Sequence, residues 1–154
     1  MIELPSVGRR ELVALARSDT LLNRSGLGVN TMGQGTMQKG NLVAAPADVH
    51  GRISKQTVAL EGVSVTRVTF APGARWSIDL KPAAGTELCE LPHVAVVLGG
   101  ALAVQMRDGS VQEFTTNDVM LLPPGHDAWT IGDEPFVFVE FSRGNDYYAE
   151  PAGT

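Results

Sequence analysis

Short segments in which apolar and polar residues are interspersed with a period of two constrain this chain more than any other feature. In residues 63–70, for example, Val63, Val65, Val68 and Phe70 are apolar and the remaining residues are polar. This pattern predicts β-strands over 56–60, 63–70, 75–80, 94–98, 101–107, 111–115, 119–122, 128–131 and 136–141. The pairs that separate many of these strands favour turns: Gly99-Gly100, Asp108-Gly109, Pro124-Gly125 and Gly132-Asp133. So many short strands without intervening helices predict an all-β antiparallel sandwich or barrel.

Length and composition place the chain among ordinary globular proteins. It has 154 residues, of which 44% are hydrophobic and 19% are charged, and a domain of this size has one core. The formal net charge is −5, and lysine and arginine are scattered along the chain. A nucleic-acid partner is therefore not expected, because phosphate backbones require a basic surface.

The single cysteine and the absence of long apolar runs bear on location. Cys89 has no second cysteine to pair with, which favours a reducing compartment. The N-terminus lacks a leader pattern, and no apolar run approaches the roughly 20 residues of a membrane helix. We therefore expect a cytoplasmic protein with no membrane association.

The N-terminal part differs from the rest. Residues 7–18 place Leu12 and Leu15 about one turn apart, which predicts a short amphipathic helix. Residues 25–40 are rich in glycine and have no apolar period, which predicts an irregular arm. We expect this helix and arm to occupy residues 1–40 and the β-domain to occupy 41–154.

Two segments carry a resemblance to a known superfamily. The first contains Trp76, Lys81-Pro82, Gly85-Thr86, Cys89 and His93, and the second contains Pro-Pro-Gly-His-Asp-Ala-Trp from Pro123 to Trp129, followed by Gly-Asp-Glu-Pro. The region 63–141 resembles the cupin superfamily, and these residues resemble a group of single-domain bacterial cupins. The resemblance implies a small antiparallel β-barrel of the jelly-roll, or double-stranded β-helix, type. It also implies metal ligands in the barrel interior, a small-molecule ligand and a homodimer.

Both cupin motifs depart from their general pattern. In the first motif, counted from Gly73, Asp79 and Lys81 take the two histidine positions, and His93 takes the glutamate position. In the second motif Ala128 takes the histidine position, and His126 lies two residues earlier. In the narrower group the position of Asp79 is a histidine. The substitution by aspartate either retunes the metal site or abolishes it.

The motif positions suggest a set of metal ligands. Residues two apart in a strand face the same way, so Asp79 and Lys81 would share one face, and His126 would share its face with Ala128. If these faces point inward, Asp79, His93 and His126 converge as one carboxylate and two imidazoles. That set suits non-haem iron, and manganese, zinc or nickel also use such ligands.

Further residues are candidates for a pocket or for catalysis. His93 or Glu87 would serve as a base, and Lys81 would hold an anionic substrate at the barrel mouth. Trp76 and Trp129 would form pocket walls, although tryptophans beside a small core often only fill it. Cys89 is a buried apolar side chain or, if the chain loops back, a ligand beside His93, because four extended residues span roughly 13 Å.

Three functions remain open from the sequence. One is a metal-dependent enzyme acting on a small organic molecule as an oxygenase, isomerase or lyase. The second is a non-catalytic, metal-free cupin that binds a small ligand. The third is a metal-free enzyme in which His93 and Asp79 transfer a proton.

Overall fold

The computed structural model describes residues 35–142, and these form nine strands and two short helices. The strands are β1 (Ala47–His50), β2 (Ile53–Leu60), β3 (Val63–Phe70), β4 (His93–Gly99), β5 (Ala101–Met106), β6 (Val111–Thr115), β7 (Val119–Leu122), β8 (His126–Ile131) and β9 (Phe136–Ser142). The helices are α1 (Trp76–Asp79) and α2 (Lys81–Ala84). The predicted all-β class is confirmed, and the predicted β3 has the observed bounds.

The strands form two antiparallel sheets. One has six strands in the order β1-β2-β3-β9-β4-β7, and the other has three in the order β6-β5-β8. Buried apolar side chains of both sheets belong to one core cluster, for example Val97 and Phe138 from the larger sheet and Leu102 and Ala128 from the smaller. The two sheets therefore enclose a single core.

The register of the larger sheet determines which polar residues face that core. Lys55, Val68, Phe138 and Val97 are successive neighbours across β2, β3, β9 and β4. Val68, Phe138 and Val97 are buried. Because alternate residues of a strand share a face, Glu140 on β9 and His93 on β4 point to the same interior as these residues.

The predicted strand over 75–80 is wrong, because this segment is helical. Trp76 and Leu80 are both buried and lie four residues apart, which is a helical spacing. The Asp79 carboxylate accepts hydrogen bonds from the backbone N–H groups of Arg75 (2.9 Å) and Arg52 (3.0 Å). The local bond from Arg75 stabilises the turn of α1, and the bond from Arg52 ties this turn to the segment before β2. Gly85, in the left-handed conformation at φ 71°, ends α2.

Some sequence predictions are not tested by the fold. The predicted helix over 7–18 and much of the arm lie outside the described residues, so the division at residue 40 stays a prediction. Within residues 35–142, neither helix is long or apolar enough to cross a membrane.

Candidate metal and ligand site

The backbone of Cys89 is hydrogen-bonded to the start of β8, which positions the Cys89 side chain. Its N–H donates to the carbonyl of His126 (2.8 Å), and its carbonyl accepts from the N–H of Gly125 (2.7 Å). These bonds form an isolated antiparallel bridge between Cys89 and His126. The Cys89 side chain is buried, at 5% exposure.

His93 is the first residue of β4, and the chain bends between it and Cys89. Because of this bend, the Cys89 Sγ lies 3.4 Å from the His93 Nε2. The other ring nitrogen, Nδ1, forms a short hydrogen bond with the Glu140 carboxylate on β9. The carboxylate accepts, so Nδ1 carries a proton, and a neutral His93 ring presents the Nε2 lone pair towards Cys89.

His126 is the first residue of β8 and is 3% exposed. Its Nδ1 lies 2.7 Å from the carbonyl oxygen of Pro123. A carbonyl can only accept, so this Nδ1 also carries the proton, and the Nε2 of a neutral ring is free to act as a ligand. The His93 and His126 rings lie edge to face, with their centroids 5.3 Å apart.

One ligand atom from each of Cys89, His93 and His126 lies within 4.8 Å of the other two. Within residues 35–142 this is the one group of three such side chains. Three donors on separate segments therefore converge, and each is held by a backbone or side-chain contact outside the group.

The three side chains perturb each other's pKa values. Burial raises the pKa of the Cys89 thiol, but hydrogen bonds with His126 and His93 outweigh it and lower that pKa from 9.0 to about 6. Burial lowers the pKa of His93, but hydrogen bonds with Cys89 and Glu140 outweigh it and raise that pKa from 6.5 to about 9. Without a metal, the pair is therefore a thiolate and an imidazolium near neutral pH.

The three donors lie on the wall of a cavity of about 450 Å³. Most of the wall is apolar, and it includes Phe70, Trp76 and Met120. Exposed residues of α2 and the following segment, including Ala84 and Leu91, form part of the rim. A cavity of this size and character suits a small organic molecule.

The structure does not bring Asp79 to the two histidines. Its carboxylate, 6% exposed, accepts from the backbone N–H groups described above and from the Arg52 side chain at 3.3 Å. Burial raises the pKa of Asp79, but these hydrogen bonds and the Arg52 charge outweigh it and lower that pKa below 3.8. The expected convergence of Asp79 with His93 and His126 is wrong, because α1 replaces the strand on which that inference rested.

Three other predicted site residues lie away from the cavity wall. Lys81 and Glu87 form an ion pair with Nζ and Oε2 2.5 Å apart, and the Glu87 side chain is 89% exposed. Trp129 packs under the Arg75 guanidinium, whose Cζ is 4.6 Å from the ring centroid. Trp129 follows inward-facing Ala128 on β8, so it points to the opposite face. Of the predicted pocket residues, Trp76 and Cys89 line the cavity.

Sequence reasoning missed Glu140, the partner of His93. In the strand Phe-Val-Phe-Val-Glu-Phe, Glu140 occupies the inward phase set by Phe136 and Phe138. An acidic residue in that phase is a detectable signal, because ionised carboxylates are rarely buried without a partner. His50 also lines the cavity.

The chemistry of the three donors, and the separation of Cys89 and His93, suit a metal ion. With metal–sulfur and metal–nitrogen bonds of zinc-like length, ligand atoms of a tetrahedral site lie roughly 3.5 Å apart. The distance of 3.4 Å between Cys89 Sγ and His93 Nε2 matches this spacing. Both imidazoles also donate their second N–H to an oxygen, as metal-bound histidines commonly do. Bonding the metal would displace the Nε2 proton of a charged His93.

Comparison with solved structures identifies the fold. A KdgF from Halomonas sp. is 22% identical, with a TM-score of 0.52 over 72% of this chain and 97% of that chain. A Cupin 2 conserved barrel domain protein from Salinispora arenicola is 18% identical, with a TM-score of 0.51 over 70% and 88% of the two chains. The chain has the cupin fold. A cupin sugar phosphate isomerase from Silicibacter pomeroyi is also 18% identical, with a TM-score of 0.51 over 68% and 74%.

The sequence comparisons add nothing to this cupin assignment. No protein-family model matches the chain, and no curated protein matches it. The predicted resemblance to small cupins is therefore confirmed at the level of the fold.

Proposed function

We propose that this cupin is a metal-dependent protein that binds a small organic molecule in its barrel cavity. Cys89, His93 and His126 are the proposed metal ligands. The observation that carries the proposal is the convergence of their donor atoms within 4.8 Å on the wall of a cavity of about 450 Å³. Oxygenase, isomerase and lyase activities are the reaction types we would test first.

The ligand types narrow the choice of metal. Thiolate and imidazole favour zinc, iron or nickel over manganese, which prefers oxygen ligands. A divalent ion with three protein ligands keeps an open position, where it can act as a Lewis acid towards a bound substrate or water. The cavity wall would place an apolar part of the ligand beside that position.

Metal content tests the proposal directly. We expect protein purified without a metal-binding tag to contain about one zinc, iron or nickel ion per chain by elemental analysis. We expect Cys89→Ser, His93→Ala and His126→Ala to lose it. His50→Ala is the matched control, because His50 lines the same cavity but pairs with Asp48, at 3.0 Å.

Cobalt substitution gives an independent readout. Cobalt bound by Cys89 would show a thiolate-to-cobalt charge-transfer absorption in wild type and His50→Ala but not in Cys89→Ser. A metal-free wild type that neither takes up zinc or cobalt nor gains thermal stability from them would end the proposal.

A metal-free ligand-binding cupin is the second candidate. The mostly apolar cavity wall favours it, as does the position of Glu87, a predicted base, outside the cavity. This candidate predicts ligand binding that survives a chelator and His126→Ala with only a modest loss. Full dependence of ligand binding on zinc would eliminate it.

We also propose that two copies associate as a homodimer. Val119 and Leu121 on β7 are 74% and 63% exposed, and Leu98 on β4 is 52% exposed. β7 is the last strand of the larger sheet among the described residues, and such an edge can pair with a second chain. Light scattering should give twice the chain mass for wild type and a lower mass for Leu121→Asp.

A further inference from the structure

We propose that the cavity takes an organic anion, and that Lys55 binds its negative group on the side opposite the metal ligands. Lys55 lines the cavity and is half-buried on β2. It lies in the inward row of the larger sheet, next to buried Val68, which in turn neighbours buried Phe138. A lysine in this row directs its ammonium group along the interior wall.

The ammonium group of Lys55 has no acidic partner among the described residues. No carboxylate of residues 35–142 lies within 4.0 Å of it. Asp48 stands opposite Lys55 in the register, but its Oδ2 contacts the Nε2 of His50 at 3.0 Å. An unpaired, half-buried cation is costly unless an anion or water compensates it.

The other charges on the cavity wall are already paired. Glu140 contacts His93, and Glu90 contacts the Arg107 guanidinium. Lys55 is thus the described cation on this wall that is free to bind an incoming anion. A carboxylate would gain a charge-assisted hydrogen bond there.

The separation of the two polar ends defines the ligand class. Lys55 on β2 and its row neighbour Val97 on β4 are three strand spacings apart, or roughly 14 Å across the strands, and His93 lies four residues, or roughly 13 Å, further along β4. Apolar Val68 and Phe138 lie between Lys55 and Val97 in this row. This arrangement fits a molecule with an apolar body, a carboxylate at one end and a metal-facing group at the other. Only the assignment of that second end rests on the proposed function.

Binding of acid and amide pairs tests the proposal. The probes are phenylacetate and 3-phenylpropionate with their neutral amides, titrated by calorimetry into the zinc-loaded full chain. We expect each acid to bind wild type at least about tenfold tighter than its amide, as a charge-assisted hydrogen bond allows. Lys55→Gln should abolish this preference and leave amide affinity unchanged.

Two control variants separate the local charge from the overall charge. Lys55→Arg keeps a cation at the site and should keep the preference for acids. Lys39→Gln makes the same change in net charge at an exposed residue outside the cavity wall and should also keep it. Equal affinity for acid and amide in wild type, no binding of either, or an unchanged preference in Lys55→Gln would each overturn the proposal.

Two measurements distinguish failure of the anion site from failure of the metal site: the zinc content of wild type, and the same titration of acids and amides in a chelator. If Lys55→Gln loses the acid preference while the zinc content of wild type is negligible, the anion site stands and the metal function falls. If zinc binds through Cys89, His93 and His126 while acids show no preference, the metal function stands and the anion site falls.

Discussion

The ionisation of Cys89 gives the sharpest test of the site geometry. The pKa of this thiol is lowered from 9.0 to about 6, a difference of three units that corresponds to about 4 kcal/mol between thiolate and thiol. In metal-free protein at pH 7 the thiolate fraction should therefore be about 90%, against about 1% for an ordinary thiol. His93→Ala removes one of the stabilising contacts, so its midpoint should rise towards 9.0.

Thiolate absorbance in the ultraviolet measures this fraction without a reagent entering the cavity. Cys89 is the only cysteine of the chain, so the whole thiolate signal belongs to it. The titration is run in a chelator, with Cys89→Ser as the baseline for tyrosine and histidine. A wild-type midpoint at or above pH 8, or the same midpoint in His93→Ala, would refute the contacts described here.

The same pair should have little effect on how stability depends on pH. The raised pKa of His93 adds stability below its ordinary pKa of 6.5, which is lost as pH rises through about 9. The lowered pKa of Cys89 adds stability above its ordinary pKa of 9.0, which is lost as pH falls through about 6. The gain and the loss overlap, because folding mainly moves one proton from sulfur to nitrogen. The contribution of Cys89 and His93 to the free energy of unfolding should thus be nearly constant between pH 6 and 9. Chemical denaturation of wild type and of a variant lacking both groups, compared over this range, measures it.

Three further predictions concern single substitutions. Glu140→Gln should weaken zinc affinity by about 10- to 100-fold in a chelator competition, since it replaces the charged partner of His93. Exposed Glu87→Gln is the control and should leave zinc affinity unchanged. Equal losses of zinc affinity in the two variants would contradict the role of Glu140. Asp79→Ala should lower the free energy of unfolding by about 2–4 kcal/mol, because the hydrogen bonds to its carboxylate are lost. The folded variant should still bind the metal. Loss of metal from the folded variant would contradict the placement of Asp79 outside the site. Gly51→Ala should lower the free energy of unfolding by at least about 1–2 kcal/mol in chemical denaturation. Gly51 has φ +54°, and an added Cβ would lie 2.3 Å from the Asp79 Oδ1. An unchanged free energy of unfolding would contradict this close contact.

Features of the fold that depend on neighbouring residues in the chain were predictable from the sequence, and those that depend on contacts between distant residues were not. The strands were predictable because interior and exterior residues alternate and glycine pairs mark the turns, as for β3. The segment 75–80 was predicted as a strand, although Trp76 and Leu80 have a helical spacing of four. The hydrogen bond that Asp79 accepts from distant Arg52 could not be read from the sequence.

The candidate site shows the same limit. His93 and His126 stood out in the two motifs, but Cys89 joins them only because its backbone pairs with His126 and the chain then bends to β4. Glu140 reaches His93 from a strand 47 residues later. Sequence spacing alone does not give such a contact.

The sequence by itself determined the class of fold and two of the three proposed ligands, because periodicity, turns and short motifs are local properties of the chain. Tertiary structure decided the third ligand, the pairing of His93 with Glu140 and the placement of Lys55 on the cavity wall. These depend on strand order and register, which bring residues distant in sequence together. The exclusion of Asp79 has the same physical origin, since Arg52 on another segment helps to hold its carboxylate outside the site.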